Sequence, residues 1–345
     1  MPAPPVIPYR EVTLNITPDV TAHPRDLGRV LAARYGVTRA SSANLIRRLE
    51  LDGWISRSGP STHPVYTPGF RRQRSFDSAL AGLEEDIVWQ QEFSQYLSLP
   101  PNVRTIVQHG LTEMTNNAID HSAGSRLWIQ ATQDQHRVRL LVADNGVGIF
   151  RRIADALHLA DPRLAAFELA KGKLTTDPKR HSGEGVFFTS RMFDTFRVDA
   201  NGLHFGHHGE PPPEPLIDSQ VASGTRIQMG IALTSQRTTR EVFDRYTDPP
   251  EDYGFNKTVV PMALAQIRGE PLLSRSQAKR LVARLDRFKA VTLDFEGVPE
   301  IGQAFADEIF RVYARAHPGV ELIPLNMNEQ VERMWLRSTR SDVGA

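Results

Sequence analysis

The sequence predicts a multidomain α/β protein, and three observations carry that expectation. A chain of 345 residues is long enough for roughly two to three domains with cores of their own. Near its centre, Val138, Leu140 and Val142 alternate with Arg137 and Arg139 as in a half-buried strand, downstream of a stretch around residues 107–121 with helical spacing. The last 90 residues then alternate strand-like and helix-like runs, the pattern of a small α/β domain with a partly parallel sheet.

Composition narrows the function classes. Lysine and arginine number 41 against 40 acids, a net charge of +1, which argues against a uniformly nucleic-acid-coating protein or an acidic tail. The absence of cysteine removes disulfides, thiolate metal sites and cysteine nucleophiles. No apolar run approaches the roughly 20 residues needed to span a bilayer. The start, Met1-Pro-Ala-Pro-Pro-Val-Ile-Pro8, has neither a basic region nor an apolar h-region. A soluble, cytoplasmic chain with no membrane partner is expected.

The average charge conceals a division. Residues 1–75 carry eleven arginines, no lysine and five acids. Within them, His23 to Arg34 is a short helical pattern with Leu27, Val30 and Leu31 inward, and Tyr35-Gly-Val is a turn. Thr38 is a suitable N-cap for a second helix from Arg39 to about Leu51, with Leu45, Ile46 and Leu49 apolar. Residues 53–60 and 64–68 read as two extended pieces around a turn. Helix, turn, helix and hairpin in this order resembles a winged helix-turn-helix module. That resemblance makes the second helix a recognition helix offering Arg39, Ser41, Ser42, Asn44, Arg47 and Arg48 to DNA, side chains that read base edges or grip phosphates. Arg57 in the wing would touch backbone. The alternative is a docking or dimerisation module with solvated arginines. Arg71, Arg72 and Arg74 read as a basic linker, and Phe76 to Leu97 as the next helix.

Three short motifs follow. Glu113 and Asn117 are four apart, so a helix stacks them on one face, with Asp120 and His121 one turn on. Val107, Leu111, Met114 and Ala118 form a separate apolar stripe, displaced by about a third of a turn. The strand through Val142 ends in Asp144, and Gly146 and Gly148 then let the backbone approach a ligand without a Cβ. Gly183 and Gly185 open a helix over Val186–Phe193, whose unpaired amide N–H groups suit phosphate oxygens. No Gly-Lys-Ser/Thr follows, so this is no Walker A loop, and the glycine spacing does not fit a dinucleotide fingerprint.

Glu-x-x-x-Asn on a helix, Asp-x-Gly-x-Gly after a strand, Gly-x-Gly before a helix and a late Gly224-Thr225 together strongly resemble the GHKL ATPases, the superfamily of gyrase, Hsp90, histidine kinases and MutL. The resemblance spans about residues 76–235 and implies a two-layer α/β sandwich, the Bergerat fold, that binds ATP and Mg2+. Residue by residue, it makes Asn117 the magnesium ligand and Asp144 the acceptor for the adenine amino group. Gly146, Gly148, Gly183 and Gly185 would line the adenine and phosphates, Thr225 would help close the adenine end, and Glu113 would be, in a hydrolytic member, the general base or the group orienting the attacking water. Physical chemistry is consistent with this: magnesium needs only one or two protein oxygens beside the phosphates, so one amide suffices, and a carboxylate one helical turn away can orient an attacking water. His121 reads as a second-tier hydrogen bonder or a helix-end residue.

Between Ile149 and His181 such proteins keep a mobile lid, here containing Lys171, Lys173, Lys179 and Arg180, whose charges would reach the terminal phosphates on closure. No histidine occurs between His63 and His109, so the phosphoacceptor of a sensor histidine kinase is missing from the segment before the domain. Thr234 to Tyr253 reads as a connector. After it come a strand-like run over 257–265, a helix from the capping-box sequence Ser274-Arg-Ser-Gln277, a strand over 291–295, a helix over 301–316, a strand over 320–325 and a helix over 327–336. Leu293-Asp-Phe-Glu-Gly-Val298 followed by Ile301 resembles the strand-to-helix turn of STAS domains, the fold of anti-anti-sigma factors. The serine that a partner kinase phosphorylates there is replaced by Gly302-Gln-Ala-Phe305, which has no hydroxyl, leaving Ala304 and Phe305 a packing role.

The expected organisation is a winged helix over 1–75, a GHKL domain over 76–235, a linker over 236–255 and a small STAS-like α/β domain over 256–345. The function this implies is a nucleotide-dependent ATPase switch in a DNA-binding regulator, with a protein partner for the STAS-like domain. A homodimer is compatible with the resemblance, although no dimerisation helix is legible. The alternatives are an anti-sigma-type serine/threonine kinase acting on a separate protein, and a non-catalytic scaffold that holds nucleotide.

Overall fold

The computed structural model describes residues 9–174, 183–208, 217–247, 254–266 and 270–340. They divide into two compact units, Met1–Asn145 with Arg226–Gln236, and Gly146–Thr225 with Arg237–Ala345.

The first unit opens with three helices, α1 (Tyr9–Ala22), α2 (Leu27–Tyr35) and α3 (Arg39–Leu51), and a hairpin of β1 (Ile55–Ser58) and β2 (Val65–Pro68). The β-branched residues and internal Pro18 of α1 favour helix poorly and mask the i, i+4 spacing of its apolar positions. Its existence is tertiary: Val12, Ile16 and Val20, four apart, are fully buried against Leu27, Leu31, Leu49 and Ile55. Helix α2 ends at Gly36, whose φ of 62° is the left-handed conformation of a helix stop. The expected cap of α3 is present, Thr38 Oγ1 accepting from Ser41 N at 3.2 Å.

The helix expected over Phe76–Leu97 is instead a strand, β3 (Arg72–Ala79), antiparallel to β4 (Arg126–Gln133) from Arg72 opposite Gln133 to Ala79 opposite Arg126. Phe76, Leu80 and Leu83 imitate helical spacing, but β4 supplies backbone partners that no local pattern records. Only Glu85–Ile87 and the π-helical turns of Val88–Phe93 (together α4) remain helical. Arg72 and Arg74 therefore belong to a sheet, not a linker, and Arg74 is paired with Glu92. Gln73 N donates to Thr17 Oγ1 at 3.0 Å, fastening β3 to α1. The sheet continues through β5 (Arg137–Asp144) to β9 (Thr225–Ala232), a strand that returns after a long insertion. Leu127, Ile129, Ala131, Val138, Leu140 and Val142 alternate inward. Helix α5 (Pro101–His121) lays Val103, Ile106, Val107, Leu111, Met114 and Ala118 into the same core and packs on β5.

The second unit contains α6 (Ile149–Ala156), α7 (Arg163–Lys171), α8 (Gly185–Met192) and an antiparallel meander of β6 (Thr195–Ala200), β7 (Leu203–His208) and β8 (Ile217–Asp218). The expected connector over 234–253 carries a helix, α9 (Thr239–Tyr246), started by a capping box between Thr238 and Glu241; residues 248–253 lie outside the described ones. Next is β10 (Lys257–Pro261), which gives way to a 3-10 turn over Met262–Ala265 where more strand was expected. The capping box at Ser274 and Gln277 starts α10 (Arg275–Val282), and Arg284 turns left-handed just beyond its end. β11 (Ala290–Asp294), α11 (Gln303–Asp307, continued by π-helical Glu308–Tyr313), α12 (Ala314–Ala316), β12 (Glu321–Leu325) and α13 (Glu329–Arg340) complete the chain. β10, β11 and β12 form a parallel sheet with Lys257 opposite Ala290 and Ala290 opposite Glu321, as the alternating pattern predicts.

Candidate functional site

In the first unit, α5 presents Glu113 and Asn117 on one stripe, beside the apolar stripe that is buried in the core. His109 is one turn before Glu113, and its burial pushes the imidazole below its ordinary pKa, so it stays neutral. Asn117 Nδ2 is a buried donor with no hydrogen-bond partner among the described residues. Leaving such a group unmade costs roughly 1–3 kcal/mol, and the same amide offers a hard oxygen suited to magnesium and an N–H suited to phosphate oxygen. The residue at this position therefore fits an Mg-nucleotide.

Asp144 closes β5. The next residue fixes how the strand ends: Asn145 Oδ1 accepts from Ser125 N at 2.9 Å and Arg126 N at 3.0 Å, and its Nδ2 donates to Ser125 Oγ at 3.0 Å. Sequence reasoning missed this clamp, which binds the end of β5 to the start of β4.

In the second unit, Gly146, Gly148 and Thr225 are brought together. Gly224 N donates to Gly146 O at 2.8 Å, and Ile149 N, at the start of α6, donates to Thr225 Oγ1 at 3.1 Å. Gly148 has a φ of 87°, and a Cβ there would lie 2.3 Å from Asn201 Oδ1. Asn201 was not singled out from the sequence. It accepts from Arg151 N at 3.0 Å and donates to Val147 O at 2.8 Å, bracketing the glycine loop from outside. The available signal was Asn201-Gly202, a hairpin-turn dipeptide between two strands.

Gly183 has a φ of 74° and accepts at its carbonyl from Leu174 N at 3.0 Å; a Cβ would meet Leu174 backbone at 2.4 Å. Gly185 is the first residue of α8, as expected of a glycine turn opening a helix. Ser182, which precedes them, lies outside the described residues.

The lid bases fare differently. Lys171 is 1% exposed, its Nζ donating to Glu168 Oε1 at 2.7 Å and Ala283 O at 2.9 Å. It is a structural cation, not a phosphate contact, because α7 turns it into the interior. Burial pushes its pKa down to about 8, opposed by the Glu168 carboxylate. Lys173 Nζ donates to Arg287 O at 2.7 Å. Lys179 and Arg180 lie outside the described residues.

On α3, Arg39, Asn44 and Arg47 are exposed, with Arg47 Nη1 donating to Asn44 Oδ1 at 3.1 Å. Ser42 corrects the sequence reading: it is 1% exposed and its hydroxyl donates to Gly28 O at 2.7 Å, so it holds α2 to α3 and reads nothing outside. Arg48 is engaged within the unit, its guanidinium 3.8 Å from the Tyr9 ring centroid, while the Tyr9 hydroxyl bonds Asp52.

In the C-terminal part, Asp294 Oδ1 accepts from Glu296 N at 3.0 Å and Asn326 Nδ2 at 2.9 Å, shaping the strand-to-helix turn. Phe305 is fully buried, in keeping with the packing role expected of it.

Residues 102–234 match the family described as histidine kinase-, DNA gyrase B-, and HSP90-like ATPase. The segment that bears Glu113, Asn117, Asp144 and the glycine turns is thus a GHKL-type domain, a class that binds ATP. Residues 277–332 match a STAS-like domain of unknown function (DUF4325). No curated protein is matched. Among the described residues no helix is long and apolar enough to cross a membrane.

Proposed function

We propose that this chain is a nucleotide-dependent regulator whose GHKL domain binds ATP with Mg2+ and hydrolyses it, with DNA contacted by the N-terminal helices and a protein partner by the STAS-like domain. The observation that carries the nucleotide part is the Asn117 amide, a buried donor with no partner among the described residues, on the α5 stripe that also bears Glu113, inside the segment that matches ATPases. Asn117 would hold the magnesium ion, which when bound supplies charge neutralisation for the phosphates. Glu113, one turn away, would orient the attacking water and take its proton. Asp144 would accept from the adenine amino group, Gly146 and Gly148 would admit the base, Thr225 would close the adenine end of the site, and Gly183 and Gly185 would present the α8 amides to phosphate.

The DNA part is supported by the exposed side chains of Arg39, Asn44 and Arg47 on the second helix of a helix-turn-helix-hairpin sequence. The switch requires the nucleotide states to differ in affinity for one conformation. Incubating the purified chain with magnesium and γ-labelled ATP, beside Glu113→Ala and Asn117→Ala, tests the chemistry. Free labelled phosphate from wild type, lost in both variants, is expected. Label that stays on ATP defeats hydrolysis and leaves a scaffold, or a kinase that acts only on a separate substrate protein. DNA affinity that is identical without nucleotide, with ADP and with a non-hydrolysable ATP analogue defeats the gating.

A further inference from the structure

The family matches and the compact units divide the chain differently. The GHKL match runs to residue 234, yet its part from Gly146 to Thr225 shares one compact unit with the whole STAS-like match. Within that unit the two are joined at the segment from Glu168 to Leu174. Lys171 O accepts from Thr258 Oγ1 at 2.6 Å, and Lys171 Nζ donates to Ala283 O at 2.9 Å. Arg284, just beyond α10, reaches back with both ends of its guanidinium, Nη1 donating to Glu168 Oε2 at 2.5 Å and Nη2 to Lys173 O at 2.8 Å. Lys173 and Arg287 exchange bonds: Lys173 Nζ donates to Arg287 O at 2.7 Å, and Arg287 Nη1 donates to Lys173 O at 3.2 Å.

Backbone conformation marks the same joint. Lys173 and Arg284, neither of them glycine, hold φ angles of 48° and 68°, left-handed conformations that persist only where the surroundings over-determine them. Gly172 has a φ of 81°, and a Cβ there would lie 2.7 Å from the Phe255 ring and 2.8 Å from the Phe187 ring. Phe187 belongs to α8, the helix that Gly185 opens; its ring centroid is 4.4 Å from that of Phe255, which is 5.2 Å from that of Phe288. Leu174 N then donates to Gly183 O at 3.0 Å. The Gly183 turn is therefore seated on Leu174, the residue after the carbonyl that Arg284 and Arg287 hold.

We propose that the STAS-like part is a built-in regulator of the nucleotide site: through Arg284 and Arg287 it preorganises the Lys173–Leu174 segment on which the Gly183 turn rests. The inference rests on the nucleotide reading of that turn. A segment ordered in advance loses less freedom when ligand binds, so the joint raises nucleotide affinity. By linkage, bound nucleotide stabilises the joint by the same factor.

The test is titration of the full chain with magnesium and the non-hydrolysable imido analogue of ATP, with hydrogen exchange followed in the free and saturated protein. Wild type binds the analogue and slows exchange both at residues 183–192 and at 281–294. In the double variant Arg284→Met with Arg287→Ala, Glu168 keeps Lys171 as its partner. It binds on the order of tenfold more weakly, within the usual range of coupling between two sites, and at saturation it protects 183–192 while 281–294 exchanges as in the free protein. Arg287→Ala alone, at an exposed position, shifts both readouts in the same direction by less and replaces the double variant if thermal unfolding shows that the latter does not fold. Arg280→Ala, exposed on α10 with neither a hydrogen bond nor an ion pair among the described residues, matches wild type. Wild type that binds no analogue defeats the nucleotide reading and this inference with it. Bound analogue without a change at 281–294, protection there that persists in the saturated variants, or wild-type affinity in the folded variants overturns the coupling alone.

Discussion

Asn201 occupies the space that a β-carbon on Gly148 would need, with Oδ1 2.3 Å from that point. The two residues are thereby fixed as a pair. Gly148 is held at a φ of 87° with a ψ of 137°, outside the left-handed helical well, a conformation that costs a residue with a side chain about 1–3 kcal/mol. Asn201 can in turn reach both Arg151 N and Val147 O only because nothing projects from Gly148.

It follows that Gly148→Ala damages the loop by both strain and collision. We expect it to lower nucleotide affinity more than Asn201→Ala, which removes two hydrogen bonds worth about 0.5–1.5 kcal/mol each. Asn201→Asp keeps the acceptor and loses the donor, so it should fall between wild type and Asn201→Ala. Titration with a fluorescent ATP analogue ranks the four proteins; equal affinity across them would remove the loop from the nucleotide site.

The α5 stripe makes a different prediction. Glu113→Gln keeps size and hydrogen bonding but cannot take a proton, so ATP should still bind while turnover falls, typically by about 10²–10⁴-fold for loss of a general base. Asn117→Ala should lose magnesium-dependent binding itself. Parallel measurement of nucleotide affinity and phosphate release separates the two, and a Glu113→Gln protein that hydrolyses normally excludes the assigned role.

Lys171 links stability to pH. Its folded pKa, about 8, lies below the ordinary lysine value of 10.5. Between these values the unfolded chain holds a proton that the folded chain lacks, so this group makes stability rise with pH. Below pH 8 both states are charged and the full burial penalty stands. Urea midpoints at pH 7.5 and pH 10 should therefore differ between wild type and Lys171→Met, wild type gaining relative to the variant at the higher pH. Glu168→Gln, which leaves Lys171 and Arg284 facing each other without their carboxylate, should cost about 3–5 kcal/mol at pH 7.5.

The N-terminal helices separate stability from DNA binding. Arg39→Ala and Arg47→Ala should leave the melting temperature near wild type, weaken duplex DNA binding and lower its salt slope by about one for each arginine–phosphate pair removed. Ser42→Ala removes the buried bond to Gly28 O and should cost about 1–3 kcal/mol of stability. DNA affinity indifferent to both arginines, measured by anisotropy at two salt concentrations, would assign this module to another partner.

Elements whose information is local are legible along the chain: the capped helices at Thr38 and Ser274, the alternating strand ending in Asp144, the short buried strand that contains Asp294, the two-stripe helix bearing Glu113 and Asn117, and the glycine turn at Gly183. Periodicity, caps and turn glycines act within a few residues, so they need no knowledge of the fold. What depends on a distant partner emerged from the packing alone. Residues 72–79 became a strand because β4 offers eight residues of antiparallel pairing, and α1 formed because Leu27, Leu31 and Leu49 bury its apolar side. Lys171 left the phosphate-binding candidates because Glu168 and Ala283 O hold it inside, and Ser42 left the base readers because Gly28 O accepts its hydroxyl. A side chain's type fixes the bonds it can make, but burial and the partners delivered by other segments fix which of them it does make.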